Sequence, residues 1–199
     1  MNILISQKET INEHGDAIDL LERNYVNYFS DKFVIIPVPN DLKAAKKLFD
    51  LADGIVLTGG GDFDEQPKRN LVESELIKLS IKKDIPLIGI CRGMQFINKY
   101  FGGNLSKVDN HVKVTHKIKF TKLQNDEVQK KVNSYHCYGM KKNDVANDLI
   151  IDSFSDNDEI VESFHHKKYK IIGIQWHPER DSGISKWIDK KIFKLFEKK

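Results

Sequence analysis

The stretch Pro86-Leu87-Ile88-Gly89-Ile90-Cys91-Arg92-Gly93-Met94-Gln95 decides how this chain folds. An apolar run of strand length leads into the frame Gly89-x-Cys91-x-Gly93, which opens a segment of helical character. In a nucleophile elbow, a tight strand-to-helix turn exposes the middle side chain, and small flanking residues avoid collision with the turn. Free N–H groups at the helix start favour a thiolate. The frame therefore predicts a nucleophile at Cys91; the alternative is a buried structural cysteine.

Apolar segments of strand length alternate with segments of helical periodicity as far as residue 103. Because these strands lack polar alternation and are separated by helices, they predict a parallel sheet covered on both faces. Active sites of such sheets lie beyond the carboxyl ends of the strands, where the turns at residues 59–61 and 89–93 fall. Strands are predicted at residues 3–5, 33–38, 54–58 and 86–90, and helices at 16–29, 42–51 (with Asp41 as N-cap), 71–83 and 92–101.

The second half of the chain changes to polar–apolar alternation, which predicts antiparallel strands. Residues 111–123 alternate, and residues 149–154 and 159–164 flank the turn Ser155-Asp156-Asn157-Asp158. Residues 169–176 form another apolar strand, before a last amphipathic helix over 182–196 with Ile184, Trp187, Ile188, Ile192 and Leu195 on one stripe. With no linker or repeat, residues 1–199 are predicted to form one doubly wound α/β domain with an antiparallel extension.

Composition excludes several functional classes. A hydrophobic content of 40% and a charged content of 31% are typical of a globular protein. The net charge of +3 is too small and too evenly mixed to favour nucleic acid as a partner. No apolar run has membrane-spanning length, and residues 1–6 are too short for the apolar part of a signal peptide. Because an exposed nucleophilic thiol must stay reduced, the two cysteines predict a cytoplasmic protein.

A cysteine nucleophile needs a base, and the base needs an orienting partner. His177-Pro178-Glu179 follows the strand that ends at Trp176. In an extended chain residues two apart point the same way, so Glu179 is predicted to hold one ring nitrogen of His177 while the other faces Cys91. The alternative for His177 is a surface or structural histidine.

Acyl transfer also needs donors for the developing oxyanion. The backbone N–H of Arg92 is one predicted donor and that of Gly60 the other, because the substrate must approach the backbone closely at a residue without a side chain. The glycine run at 59–61 is less typical of a phosphate-binding loop, since no Lys-Ser/Thr pair follows it.

Four segments together resemble the class I glutamine amidotransferases. They are Thr58-Gly59-Gly60-Gly61-Asp62, Gly89-Ile90-Cys91-Arg92-Gly93-Met94-Gln95, Asn133-Ser134-Tyr135-His136 and Gly173-Ile174-Gln175-Trp176-His177-Pro178-Glu179, in that family's order. The resemblance implies a flavodoxin-like sheet, a Cys91–His177–Glu179 triad and a γ-glutamyl thioester on Cys91 that water releases as glutamate. It also implies that Gln95, Ser134, Tyr135 and His136 hold the glutamyl amino and carboxylate groups.

Within that family, Arg92 and the stand-alone length resemble the γ-glutamyl hydrolase branch, which includes γ-glutamyl-GABA hydrolases. Size and composition are also similar to those of the γ-glutamyl-CDP-amidate hydrolases of capsule phosphoramidate synthesis; Arg92, Lys68 and Arg69 are candidates to meet such a diphosphate. Cys137-Tyr138 replaces the glycine or glutamine that many relatives carry, which affects the acceptor side of the pocket.

Two other functions stay open. In the first, the chain is the glutaminase component of a two-chain amidotransferase, with a separate synthetase as partner. In the second, it is a non-catalytic binding relative, which the presence of Cys91, His177 and Glu179 disfavours. No cofactor is predicted. His111 and His116 are predicted to face opposite sides of a strand, which makes them a poor metal pair.

Overall fold

The computed structural model of the protein describes residues 1–121, 130–180 and 186–197. The helices are α1 (Arg23–Phe29), α2 (Leu42–Leu48), α3 (Pro67–Lys83), α4 (Arg92–Tyr100) and α5 (Lys186–Phe196), with 3-10 turns at Phe49–Leu51, Lys142–Asp144 and Pro178–Arg180. The strands are β1 (Asn2–Ser6), β2 (Lys8–Ile11), β3 (Ala17–Leu20), β4 (Val34–Val38), β5 (Gly54–Leu57), β6 (Leu87–Ile90), β7 (Ser106–Lys107), β8 (Val112–Phe120), β9 (Lys130–Tyr135), β10 (Tyr138–Gly139), β11 (Leu149–Ser155), β12 (Val161–His166) and β13 (Ile171–Ile174).

A nine-stranded sheet runs through the described part of the chain in the order β4-β1-β5-β6-β13-β12-β11-β8-β9. The pairs from β4 to β13 are parallel, and those from β13 to β9 are antiparallel. The predicted α/β class, with a mostly parallel sheet and an antiparallel extension in the second half, is confirmed. β13 joins the parallel strands late in the sequence and places the end of His177's strand beside the end of β6.

Apolar side chains cover both faces of the sheet. Leu4 of β1 packs into one buried cluster with α2, α3 and α4, whereas its neighbours Ile3 and Ile5 pack into another with α1 and α5. This alternation follows from the two-residue period of a strand, and it lets a strand be apolar throughout. The sheet is therefore the middle of three layers, as predicted.

The helix predicted over residues 16–29 is wrong in its first half. Residues 17–20 form strand β3, which pairs with β2, and the helix begins only at Arg23. The turn between β2 and β3 is stabilised by Asn12, whose Oδ1 accepts the N–H groups of His14 and Asp16. The helical spacing of the apolar residues was coincidental, because this hairpin is largely exposed and has no buried stripe to match.

Most other predicted elements are present, with shifted ends. Asp41 caps α2 by accepting the N–H of Ala44, while α3 begins at Pro67, four residues before its predicted start at residue 71. The alternating segment after residue 111 is one strand, β8, which pairs with both β9 and β11. The predicted positions Leu123 and Ile184 lie outside the described residues. Among the described residues, no helix combines the length and apolar character needed to cross a bilayer.

The expectation that His111 and His116 face opposite sides of a strand is also wrong. The ladder between β8 and β9 is irregular between Val112 and Val114, and Lys113 has a φ of 56°. A bulge of this kind inserts an extra residue and resets the side-chain alternation. The two imidazole rings consequently meet, with their centroids 4.9 Å apart.

Candidate active site

The turn at Cys91 has the geometry of a nucleophile elbow. Cys91 has φ 53° and ψ −108° and precedes the first residue of α4. A Cβ at Gly93 would lie 2.2 Å from the carbonyl oxygen of Leu57, so only glycine lets α4 pack this closely against the end of β5. Cys91 donates its backbone N–H to the carbonyl of Ile174 over 2.8 Å, which ties the elbow to β13.

The backbone of His177 is held at both its N–H and its carbonyl. The side chain of Asn133 accepts the N–H of His177 over 2.8 Å and donates to its carbonyl over 2.7 Å. Glu179 Oε1 lies 2.5 Å from His177 Nδ1. The contact forms although residues 178–180 coil into a 3-10 turn rather than continuing as the extended chain predicted from the sequence. Because Nδ1 faces the carboxylate, the second ring nitrogen is free to face Cys91.

The imidazole and the thiol meet over Gly59. A Cβ on Gly59 would lie 2.8 Å from His177 Cε1 and 3.4 Å from Cys91 Cβ. Burial alone would lower the pKa of His177, but the charges of Cys91 and Glu179 and hydrogen bonds to both raise it from 6.5 to about 10. At neutral pH this arrangement favours the imidazolium form of His177.

A cavity of about 180 Å³ opens onto this pair. Cys91 is only 7% exposed, so the cavity is the route by which a substrate would meet its sulfur. Glu179 lies behind His177, and the side chain of Ser134 is fully buried away from the cavity. The predicted residues that line it are Gly60, Cys91, Arg92, Gln95, Tyr135, His136 and His177.

The loop that carries Gly60 is held by a buried arginine. Arg69 donates to the carbonyls of Thr58 over 2.6 Å and Gly60 over 2.8 Å. Gly60 itself has a φ of 81°, which lets the loop turn beside the cavity. Arg69 is therefore not available to a ligand, and its prediction as a contact for a diphosphate is wrong.

The guanidinium of Arg92 is likewise held by other protein groups, although Arg92 lines the cavity. Its Nη1 donates to Glu73 over 2.6 Å and its Nη2 to Asn70, while the guanidinium lies 4.5 Å from the ring centroid of Phe63. Arg92 can offer a substrate its backbone N–H, as predicted for an oxyanion donor, but its charge is already paired. The side chain was a poor candidate for the diphosphate.

The predicted glutamyl-binding residues lie in different environments. Gln95 donates to the carbonyl of Tyr138 over 2.7 Å, and this hydrogen bond fixes the orientation of its side-chain amide. Tyr135 is 40% exposed and stands edge-on to the ring of His177 at 5.7 Å. Ser134 Oγ instead donates to the carbonyl of His111 over 2.7 Å. The roles of these residues stay predictions.

Several residues of the site received no role from the sequence. Two of them, Asn133 and Gln175, belong to recognised motifs and could have been found there. The Nε2 of Gln175 lies 3.7 Å from Cys91 Sγ. Tyr25 accepts the N–H of Gly59 over 2.8 Å, and nothing in the sequence signals that contact between distant segments. Burial and the charge of Glu179 raise the pKa of Tyr25, which keeps the phenol neutral. Arg180 lines the cavity and lies 5.1 Å from the ring centroid of Tyr135.

Solved structures show the same fold. A Thermoplasma acidophilum protein described as a component of GMP synthase superposes with a TM-score of 0.73, at 23% identity and with 98% of this chain and 92% of that chain covered. A glutamine amidotransferase from Thermotoga maritima gives a TM-score of 0.66, at 18% identity over 98% and 83% of the two chains.

Curated relatives point to the same group. The γ-glutamyl-CDP-amidate hydrolase of Campylobacter jejuni is 33% identical over 68% of this chain and 66% of its own length. A glutamine amidotransferase-like protein of Lactococcus lactis is 29% identical over 91% of this chain and 89% of its own. The glutamine-hydrolyzing GMP synthase subunit of Methanococcus aeolicus is 27% identical over 85% and 86%. The peptidase C26 family model matches residues 3–179, and the chain therefore belongs to the peptidase C26 family, among relatives of the glutamine amidotransferase type.

Proposed function

We propose that this protein is a cysteine hydrolase that cleaves the C–N bond of a γ-glutamyl amide. The observation that carries the proposal is that Cys91 and His177 line one cavity while Glu179 contacts the far nitrogen of His177. Membership of the peptidase C26 family supports a hydrolase acting on such a bond.

In the first half of the reaction, Cys91 Sγ attacks the γ-carbonyl carbon. The backbone N–H groups of Arg92 and Gly60 stabilise the oxyanion. The imidazolium of His177 gives its proton to the leaving nitrogen as the C–N bond breaks, leaving a γ-glutamyl thioester on Cys91. Glu179 stabilises the imidazolium before that transfer, through its contact with Nδ1.

In the second half, His177 acts as a base. Neutral after the first transfer, it takes a proton from water as the water attacks the thioester carbonyl. The collapse of the second tetrahedral intermediate releases glutamate and returns the thiolate–imidazolium pair. Gln95 and Tyr135 are proposed to hold the glutamyl amino and carboxylate groups, because they line the same cavity, whereas both ring nitrogens of His136, which also lines it, face other protein groups, Tyr138 and Glu162.

As the specific substrate we propose γ-glutamyl-CDP-amidate, which would yield cytidine diphosphoramidate for capsule synthesis. The relative of that name in Campylobacter jejuni supports this choice. Arg180 now replaces Arg69 and Arg92 as the proposed contact for the diphosphate: it lines the cavity, and although its Nη2 contacts Glu22 over 2.8 Å, its side chain is 25% exposed, whereas those of Arg69 and Arg92 are 0% and 3% exposed. A γ-glutamyl-GABA-type amide is the alternative substrate, and the cytoplasm is the proposed location.

The proposal is tested by covalent labelling and by turnover. Cys91→Ala should lose all measurable hydrolysis of a panel of γ-glutamyl-CDP-amidate, γ-glutamyl-GABA, γ-glutamyl-polyamines and glutamine, since no other described group replaces the sulfur. Cys137→Ala is the matched control, because Cys137 lines the same cavity and is also a free cysteine. An electrophilic glutamine analogue should form one adduct at Cys91 in the control variant, with the mass of the analogue less its leaving group. Unchanged turnover in Cys91→Ala would refute the thioester mechanism.

A second function is favoured by the likeness to the GMP synthase component of Methanococcus aeolicus, a relative whose name describes one part of a larger enzyme. Under this proposal the protein hydrolyses glutamine for a separate synthetase. Glutamine would then be the best substrate of the panel, and its turnover would rise when the synthetase is added. A preference for γ-glutamyl-CDP-amidate without any partner would exclude this function.

A further inference from the structure

Three histidines and one glutamate converge beside the candidate active site. His111 precedes β8, His116 lies within it, His136 follows β9, and Glu162 lies on β12. The exposed fractions of their side chains are 4%, 7%, 2% and 0% in that order. β11 pairs with β8 only at residues 118–120 of β8, so the first part of β8 extends past β11 toward Glu162. The cluster is thus a buried polar site between β12 and the paired strands β8 and β9, with β11 between them in the sheet order.

The nitrogens of the cluster point at a single carboxylate oxygen. Glu162 Oε1 lies 3.2 Å from His116 Nε2, 3.7 Å from His136 Nε2 and 3.9 Å from His111 Nδ1. Within the described part of the chain, His116 Nε2, His136 Nε2 and both oxygens of Glu162 make no hydrogen bond although they are buried. Buried polar atoms without hydrogen bonds are costly, and although Glu162 Oε1 makes ion-pair contacts with His116 and His136, a convergence of four such atoms requires an explanation.

The outer nitrogens of two of these rings are fixed. His111 Nε2 lies 2.7 Å from Asp158 Oδ2, and His136 Nδ1 lies 2.9 Å from the carbonyl of Tyr138. Each contact places a ring proton on the outer nitrogen, so that in the neutral imidazole the nitrogen facing Glu162 carries a lone pair. Histidine ligands of metals are oriented in the same way, by a carboxylate or a backbone carbonyl on the other nitrogen.

We propose that His111, His116, His136 and Glu162 bind a divalent transition metal ion of the Zn²⁺ type. The ligand atoms of His111, His116 and Glu162 lie within 4.8 Å of one another. Zn–N and Zn–O bonds of about 2.0–2.1 Å give a tetrahedron with edges of about 3.3 Å. The separation of His116 from Glu162 is close to this at 3.2 Å, whereas His136 at 3.7 Å and His111 at 3.9 Å would move inward on metal binding. Imidazole with a carboxylate is a donor set that suits zinc.

A metal here would support the candidate active site without taking part in its chemistry. His136 lines the catalytic cavity, and the carbonyl of Tyr138, which orients His136, also accepts the amide of Gln95. An ion bound by His136 would therefore fix residues 136–138, which line the cavity, to β8 and β12. The metal would also balance the charge of Glu162, which is fully buried.

The test uses tag-free full-length protein carrying Cys91→Ser and Cys137→Ser, so that neither thiol binds metal. After removal of metal with a chelator and addition of Zn²⁺, mass spectrometry of the metal content should give about one zinc per chain. Glu162→Gln and His116→Gln should each retain less than a tenth of that. His165→Gln is the matched control, because His165 contacts Asp152 outside the cluster and should leave the zinc content unchanged.

Two further measurements keep the proposal falsifiable if a cluster variant does not fold. Co²⁺ added to the parent protein should give the strong visible absorption of a tetrahedral site. Asp158→Asn should weaken zinc binding about 10- to 100-fold, since it removes the charge of the outer partner of His111 and leaves all four ligands in place. A parent protein that binds no zinc, a weak octahedral Co²⁺ spectrum, or equal zinc content in Glu162→Gln and the parent would each overturn the proposal.

Discussion

Cys91 combines an uncommon backbone conformation with firm anchoring. Its φ of 53° and ψ of −108° lie outside the basins that most residues occupy, and such conformations cost on the order of 1–3 kcal/mol. The surrounding hydrogen bonds hold it there: its N–H donates to Ile174 over 2.8 Å, and its carbonyl accepts the N–H of Gln95 over 3.1 Å. The turn that directs the thiol toward the cavity therefore contains both the unfavourable backbone conformation and the hydrogen bonds that hold it.

At the residue scale, replacement of the two partners of Cys91 should have unequal effects. His177→Ala should lower kcat about 10²- to 10⁴-fold, because a group that transfers protons is lost. Glu179→Gln should cost less, since the amide still contacts Nδ1 and only the orientation and charge support weaken. Steady-state kinetics on the best γ-glutamyl substrate measure both. Equal and negligible losses would mean that the triad is misassigned.

The sequence was most informative at this scale where chemistry and turn geometry coincide. The glycine frame around Cys91 and the strand-end His177-Pro178-Glu179 could be recognised because each needs particular residue types at short spacing. Arg69 and Tyr25 could not be recognised, because their contacts with the Gly59–Gly60 loop join segments distant in sequence. A buried arginine on a helix has the same local pattern as a solvated one.

At the scale of elements, the turn after β5 depends on a side chain from α3. Arg69 is fully buried and contacts Glu73 over 2.8 Å in addition to the loop carbonyls. A lysine would keep the charge but not the several fixed N–H donors of the guanidinium.

Arg69→Lys should therefore lower the free energy of unfolding by about 1–3 kcal/mol through the unpaired loop carbonyls. Displacement of Gly60 should also lower kcat about 10- to 100-fold at temperatures where the protein stays folded. Denaturant unfolding and kinetics measure the two effects. Arg23→Lys, at an exposed arginine, is the matched control and should change neither. Wild-type kcat in Arg69→Lys would show that the loop does not need this anchor.

Strands and helices were predicted well where burial dominates. β5 and β6 are buried along their whole length, and their uninterrupted apolar runs indicated a covered parallel sheet. The hairpin of β2 and β3 was missed because it is exposed, so its apolar residues follow no core-facing period. The bulge at Lys113 was missed as well, and with it the side on which His111 lies.

At the scale of the whole molecule, a buried ionic network joins one edge of the site to the core. Glu73 accepts hydrogen bonds from Ser6 of β1, from Arg69 of its own helix and from Arg92 of α4. Burial alone would raise the pKa of Glu73, but the charges of the two arginines lower it below its ordinary value of 4.5.

The assignment of residues 1–199 to one domain stays a prediction.

This network predicts how stability depends on acid. Because the folded-state pKa of Glu73 is depressed, its contribution is present above pH 4.5 and is lost as the pH falls through the folded-state value. Glu73→Gln should lower the free energy of unfolding at neutral pH by about 3–5 kcal/mol and flatten its decline in acid. Denaturant titrations across the acid range measure both, with Glu65→Gln, at an exposed position, as the control. An acid profile identical to that of the wild type would contradict the assignment.

The position of β13 beside β6 has a consequence for the newly made chain. Synthesis proceeds from the amino end, so the ribosome completes the elbow strand well before the strand that accepts the backbone N–H of Cys91. A nascent chain that stops at Lys170 carries the sulfur but neither the imidazole nor the neighbour that closes the sheet around it. The thiol therefore acquires its proton partner only after His177 has been made, and a product terminated before that residue would carry an unpaired thiol.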